Sequence, residues 1–311
     1  MKNVSATASQ QRTLRWHKFL RELPLHLYLL PAIILVITFC YVPMMGVVIA
    51  FQNFKVFKGW FAAPWVGLAN FRYVIHLPNF SQVLYNTVFI SFLKIVCSLV
   101  VPIVVALMFN EMQSTGLKRT LQTVMYLPYF MSWIILGGII KDLLDTNGLI
   151  NNVLASLGLQ KVNLLTSNDS FRSVLVVTDI WKTFGYNTII YLAALTGIDP
   201  SLYEATMIDG ANRWQQTWHI TLPGMRSVIV MMATLSLGNI LNAGFEQVLV
   251  LYNDLVMESG DIIDTFVYRL GLEQGKYSVS TAVGLFKSAV SLVLISTAYY
   301  LSNRFADYRI F

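Results

Sequence analysis

Residues 23–54, 120–140 and 227–245 contain no Asp, Glu, Lys or Arg. A helix needs about 20 apolar residues to cross the hydrocarbon core, where each unpaired backbone amide costs several kcal/mol. Charge-free blocks of this length therefore restrict the chain to an all-α membrane protein. The overall composition agrees: 56% of the 311 residues are hydrophobic and 12% are DEKR, against about 25% charged residues in soluble domains. Six spans are expected, at about 25–51, 83–109, 121–141, 172–195, 227–251 and 281–303. The first is too long for the roughly 7–15-residue apolar core of a cleavable signal peptide, and no small-x-small site follows it.

Orientation is read from the basic residues. Lys2, Arg12, Arg15, Lys18 and Arg21 precede the first span against Glu22 alone, which by the positive-inside rule puts the N-terminal tail in the cytoplasm. Six spans return the C-terminus, with Arg304 and Arg309, to the same side. Lys55, Lys58 and Arg72 in the outer loop 52–82 run against this assignment. That loop is also rich in aromatics, as expected of a belt at headgroup level. The outer loop 252–280 holds five acids, Asp254, Glu258, Asp261, Asp264 and Glu273. The net charge of +6 is a topological signal, with no basic stripe of the kind that binds nucleic acid. Cys40 and Cys97 both fall within spans, where each reads as a small buried hydrophobe. In the outer loop 142–171, Leu149–Leu157 reads as a short surface helix.

The segment between spans four and five, residues 198–226, is unusually long and locally structured; helix connections commonly take about 2–8 residues. Asp199-Pro200 suits an N-cap with proline at the first helical position, and Ser201-x-x-Glu204 offers a capping box instead. Tyr203 and Met207, at i and i+4, would give this helix one apolar face. Gly210 can end it in the left-handed conformation. A second helix over about 211–220 is expected to stop at Pro223. The bland reading of this two-helix knob is an amphipathic filler on the membrane surface.

The residue string carries more. Glu204-Ala205-Thr206, three residues, Gly210, nine residues, then Ile220-x-Leu222-Pro223 resembles the EAA loop of binding-protein-dependent ABC importer permeases. Only Thr206 departs, standing where the family pattern has Ala. Segments 41–54, 64–71, 110–133 and 261–272 are similar to the carbohydrate-uptake class, in its polysaccharide and oligosaccharide branch. The resemblance implies a type I (MetI-like) importer transmembrane domain over residues 82–303, preceded by a tail (1–24) and a first span with its outer loop (25–81) and followed by a tail (304–311). It implies a coupling loop, Glu204, Ala205, Thr206, Gly210, Ile220, Leu222 and Pro223, that docks on a cytoplasmic ATPase dimer. A second related permease and an external solute-binding protein would complete the machine.

The chain has no phosphate loop of its own. Its nearest match, Gly271 to Tyr277, has three intervening residues where four are needed, and it ends in Tyr. No histidine spacing suits a metal, and no nucleophile stands with a base, so neither a cofactor nor bond-breaking chemistry is expected. Lys94, Asp179, Lys182, Glu246 and Lys287 fall inside spans, each costing roughly 2.5–3.5 kcal/mol at the bilayer centre unless paired or hydrated. Asp179 and Lys182 can pair at i, i+3, Lys94 should face the interior, and Lys182 and Lys287 can instead snorkel outward. Asn239, Asn242, Glu246 and Gln247 with Trp181 and Tyr186 are candidates for lining a sugar pathway. The same coupling loop would serve a permease for a peptide or phosphate. A secondary transporter is a more distant reading, disfavoured by the absence of internal repeats.

Overall fold

The computed structural model describes the backbone of residues 8–306 and side chains from Glu22 onward, apart from Lys58 and most of those beyond Thr297. Lys2 and Arg309, and the side chains of Arg12, Arg15, Lys18, Arg21 and Arg304, lie outside the described residues. Helix α1 (Ala8–Val36) continues through a π turn at Ile37–Tyr41 and a 3-10 segment at Met45–Phe51. The π turn lies just ahead of Pro43, whose missing N–H and bulky ring an α-helical register would not accommodate. From Leu23 to Met45 this helix exposes almost every side chain, and its C-terminal end packs on the last helix.

A short helix α2 (Ala69–Ile75) leads into α3 (Phe80–Glu111). Then come α4 (Thr115–Tyr126), α5 (Trp133–Leu144), the surface helix α6 (Leu149–Ser156) and α7 (Asn168–Thr196). The knob helix α8 (Pro200–Ile208) is followed by α9 (Arg213–Gln216), α10 (Leu222–Leu237), α11 (Phe245–Leu251), α12 (Ile263–Tyr268) and α13 (Tyr277–Ala306). Among the described residues four helices are long and apolar enough to cross a membrane, at Glu22–Phe51, Phe80–Glu111, Arg213–Leu237 and Tyr277–Thr297. The bent pair Thr115–Phe130 and Trp133–Ser156 is long and apolar enough only when taken together as one broken span. Helix α7 is long enough to span as well, its 29 residues reaching about 43 Å at 1.5 Å per residue. It packs on α3, α4 and α10, and Arg172, Asp179 and Lys182 on it are half-buried.

Two expected spans are broken. The third bends by 106° between Phe130 and Trp133. Pro128 sits in the 3-10 turn before the bend, and the Ser132 side chain caps the new helix by accepting from Ile135 N–H. The fifth begins earlier than its apolar block, at Arg213, and ends at Leu237. Residues 238–244 are irregular, and Gly244 adopts φ +92°, which only glycine adopts without strain.

The core lies where these breaks meet α3 and α7. Ile90, Leu136, Phe171, Leu175, Val248 and Leu251 pack there with negligible exposure. The segment 252–280 is no loop. Ile263 and Phe266 are buried against α3 and α13, Ile262 joins the core around Ile90 and Phe171, and Asp261, at 3% exposure, is paired with Arg269. Of the five acids only Asp254, Glu258 and Glu273 stay exposed. Cys97 is half-buried, and Cys40 is exposed on the apolar face of the first span, so neither fills the core as the sequence suggests.

Candidate functional site

Two places combine exposure with chemistry: the knob and the break in span five.

In the knob, Asp199 caps α8 by accepting from Ser201 N–H at 2.9 Å, so Glu204 is left free of the capping role. That hydrogen bond holds the Asp199 carboxyl below the usual carboxylate range. Gly210, at φ +80°, reverses the chain after α8, and Ala211 N–H returns to the Thr206 carbonyl at 2.9 Å. Asn212 and Gln215 close a capping box on α9. Helix α9 then runs without interruption through a π turn, Thr217–Thr221, into α10. Pro223 therefore does not stop a knob helix. Pro223 lies within the continuous helix, and the π turn just ahead of it shifts the register that its ring and missing N–H would otherwise disrupt.

The face of α8 also differs from the i, i+4 expectation. Tyr203 turns inward, its hydroxyl 3.0 Å from that of Thr221, whereas Met207 is exposed. Gly224 lets Ile198 pack closely, since a Cβ there would lie 2.8 Å from it. Ile220 and Leu222 are half-buried and Pro223 is exposed. Glu204 and Ala205 face solvent beside Leu202, Met207 and Ile208, which is 87% exposed. A crevice of about 360 Å³ opens between the two helices, lined in part by Thr206, Gly210 and Ile220.

Span five breaks against a buried ion pair. Lys94, at 7% exposure, donates to Asp179 (3.4 Å), to the Ala243 carbonyl (2.7 Å) and to Gln247 Oε1. The interior position expected of Lys94 is correct, but Asp179 pairs with it and not with Lys182. The two partners are 85 residues apart, so local spacing favoured the wrong cation. Gln247 is fully buried, its amide nitrogen donating to the Leu175 carbonyl and to Thr178 Oγ1, both at 2.8 Å. It does not line the cavity beside the break. Gly244 completes the contact, since a Cβ there would lie 2.9 Å from Lys94 Nζ.

Lys182 does not snorkel. Its ammonium donates to the carbonyls of Pro128 (3.2 Å), Tyr129 (3.0 Å) and Met131, closing the broken end of span three. Tyr186 lies one turn further on, stacked on Tyr129 with centroids 3.9 Å apart. Trp181 lines a separate apolar cavity of about 430 Å³ with α5 and α6 residues.

Asn239 and Asn242 do come together, on the wall of a cavity of about 700 Å³ beside the break. Phe245, Tyr268 and Tyr277 share that wall, as do Asp264 and Lys287, which pair at 2.5 Å. Lys287 thus finds a carboxylate where snorkelling was the expectation. Neither asparagine side chain has a hydrogen-bond partner among the described residues, and both are exposed. Glu246 is exposed as well and lies outside this wall. Asp264, Tyr268 and Tyr277 escaped sequence reasoning because they come from a segment taken as loop and from the start of the last helix. The signal that pointed that way was the resemblance carried by residues 261–272.

Residues 98–307 match the family described as binding-protein-dependent transport system inner membrane component. The chain is 43% identical to the polygalacturonan/rhamnogalacturonan transport system permease protein YteP of Bacillus subtilis (strain 168), covering 93% of this chain and 91% of the relative. With the arabinooligosaccharides transport system permease protein AraP of the same organism it shares 25% identity, over 90% of this chain and 88% of that one. Among solved structures, a chain from the crystal structure of a bacterial ABC transporter involved in the import of the acidic polysaccharide alginate is 37% identical. It superposes with a TM-score of 0.86, covering 93% of this chain and 98% of that chain. At 15% identity and a TM-score of 0.50, the MetNI methionine ABC transporter shares the fold alone. The helical architecture is that of type I ABC importer transmembrane domains, and the chain belongs to the family of binding-protein-dependent transport system inner membrane components.

Proposed function

We propose that this chain is the permease subunit of an ATP-driven importer that carries an oligosaccharide or polysaccharide fragment across the cytoplasmic membrane. ATP is hydrolysed by a separate subunit that docks on the knob at 198–226. The observation that carries the coupling is the exposed face of α8. Leu202, Met207 and Ile208 stand free on a polar, charged segment, beside a short alanine and the Glu204 carboxylate. Apolar surface ringed by polar groups is characteristic of a protein contact. Gly210, Tyr203 and the Asn212 capping box hold that face rigidly on the end of span five, so a push on the knob moves α10 as one body.

The cargo reading is supported by the 700 Å³ cavity, whose aromatic rings and unpartnered amides suit sugar faces and hydroxyls. Relatives with printed sugar cargoes support it further. The full machine contains a second related permease, an ATPase dimer and an external solute-binding protein. One alginate transporter structure is a complex with an alginate pentasaccharide-bound periplasmic protein. Both termini of the permease lie in the cytoplasm. Segment 142–171 and the exposed acids Asp254, Glu258 and Glu273 offer the binding-protein contact.

Glu204→Lys and Gly210→Val test the coupling in the complete transporter reconstituted in liposomes. ATP-dependent uptake of a galacturonan oligosaccharide should fall more than tenfold, and the ATPase should no longer co-purify, while the permease remains in the membrane. Uptake that runs on a proton or sodium gradient without any ATPase would falsify this reading. Uptake of a peptide or phosphate in place of sugar overturns its cargo half.

A further inference from the structure

Three bundle lysines differ in how their donors are used. An ammonium has three N–H donors and no acceptor. Lys94 directs its donors at Asp179, the Ala243 carbonyl and Gln247, and Lys182 directs its donors at three backbone carbonyls. Lys287 has one partner, Asp264 Oδ1 at 2.5 Å. Two donors are therefore spare. Both Lys287 and Asp264 line the 700 Å³ cavity, and their side chains keep 22% and 23% of their surface accessible.

The inference deepens the sugar-permease reading and rests on it. We propose that Lys287 reads a carboxylate on the cargo, and that the cargo class is acidic, uronate-bearing oligosaccharide. A neutral sugar offers only hydroxyls to the spare donors. A uronate carboxylate forms charge-assisted bonds with the same donors, which are about twice as strong. Asp264 has two consequences. In the empty cavity it neutralises an ammonium that would otherwise be costly at membrane depth. In the loaded cavity it competes with the cargo for Lys287, so the substrate is held weakly enough to leave, a condition every conducting path must meet. Asn239, Asn242, Tyr268 and Tyr277 face the same space and serve the hydroxyls. Among the described residues no other Lys or Arg lines the cavity.

The test uses the complete transporter in liposomes, with tetragalacturonate and with the same oligomer after reduction of its carboxyls to hydroxymethyl groups. Each variant is scored as a ratio to wild type for the same sugar, which cancels the binding protein's own preference. Lys287→Met should lower ATP-dependent uptake of the acid at least tenfold and leave the neutral sugar within twofold. Lys287→Arg should keep most of the acid uptake. Asp264→Asn should lower KM for the acid several-fold and leave KM for the neutral sugar unchanged. Equal loss of both sugars in Lys287→Met makes the pair a structural brace, and loss of neither removes Lys287 from the path; either result overturns the proposal. Wild-type transporter that imports neither sugar overturns the sugar reading itself, and this inference with it.

Discussion

The wall of helix breaks around Lys94 and Lys182 and the cavity beside it are built from the same residue types with opposite hydrogen-bond accounts. At the breaks, the ammonium and amide groups of Lys94, Lys182 and Gln247 are all matched. Lys94 and Lys182 each meet three acceptors, and the Gln247 amide is used at both ends. In the cavity, the side chains of Asn239 and Asn242 have no partner among the described residues and Lys287 has one. Burial explains the difference. A broken helix inside a membrane leaves carbonyls and amides that no water reaches, so side chains must satisfy them or the break is not stable. A cavity wall has water or cargo as its partner, and unmet donors there are available for recognition.

The largest expected effect is on the matched side. Lys94→Met takes from Asp179 the cation it bonds and leaves the Ala243 carbonyl without its donor. Breaking a buried pair in this way costs about 3–5 kcal/mol. The level of folded permease in membranes and its detergent melting temperature should both drop sharply. Adding Asp179→Asn to Lys94→Met should recover part of the loss, and a double variant no better than the single would break the account of this pair.

A different signature is expected in the cavity. The double variant Asn239→Ala/Asn242→Ala should keep its stability within about 0.5 kcal/mol, as for sites with no partner to lose. Sugar uptake should still fall roughly tenfold, the scale of losing one or two hydrogen bonds to the cargo. If its melting temperature fell as far as that of Lys94→Met, the contrast between the two regions would be gone.

The smallest effect calibrates the scale: a polar group with a partner but no burial. Asp199 caps α8 in the open, and its carboxyl titrates below the usual range because its ionised form accepts the Ser201 N–H. The sign follows from linkage. A depressed folded-state pKa adds stability above the unfolded value of about 3.9, and that contribution fades as the pH falls through the folded value. Amide exchange at Ser201–Glu204 should quicken in Asp199→Ala at neutral pH and leave the bundle's slow amides untouched. Acidification should have the same local effect on wild type.

Local signals were legible from the chain alone. The spacing from Glu204 to Pro223, the Asp199-Pro200 cap and the left-handed Gly210 all act over a few residues, and all appear where the sequence places them. The surface helix at 149–156 was legible for the same reason. The breaks were harder. Pro128 and Ser132, and Gly238 and Gly244, are each ordinary breaker residues, but they lie inside apolar blocks whose continuity argued for unbroken spans. Segment 252–280 misled in the opposite direction, because its acids suggested solvent while Asp261 and Asp264 were paired with Arg269 and Lys287 inside the fold.

The sequence by itself determined that the chain crosses a membrane as helices and presents a rigid polar knob at one end. Both follow from short-range physics, the cost of naked amides in lipid and the geometry of caps and turns. The tertiary structure alone decided which charges are structural and which face the cavity. Asp179 stands three residues from Lys182 and yet bonds Lys94, while Asp264 reaches Lys287 across 23 residues. Pairing inside a bundle is set by which helices pack together, and nearness along the chain does not report it.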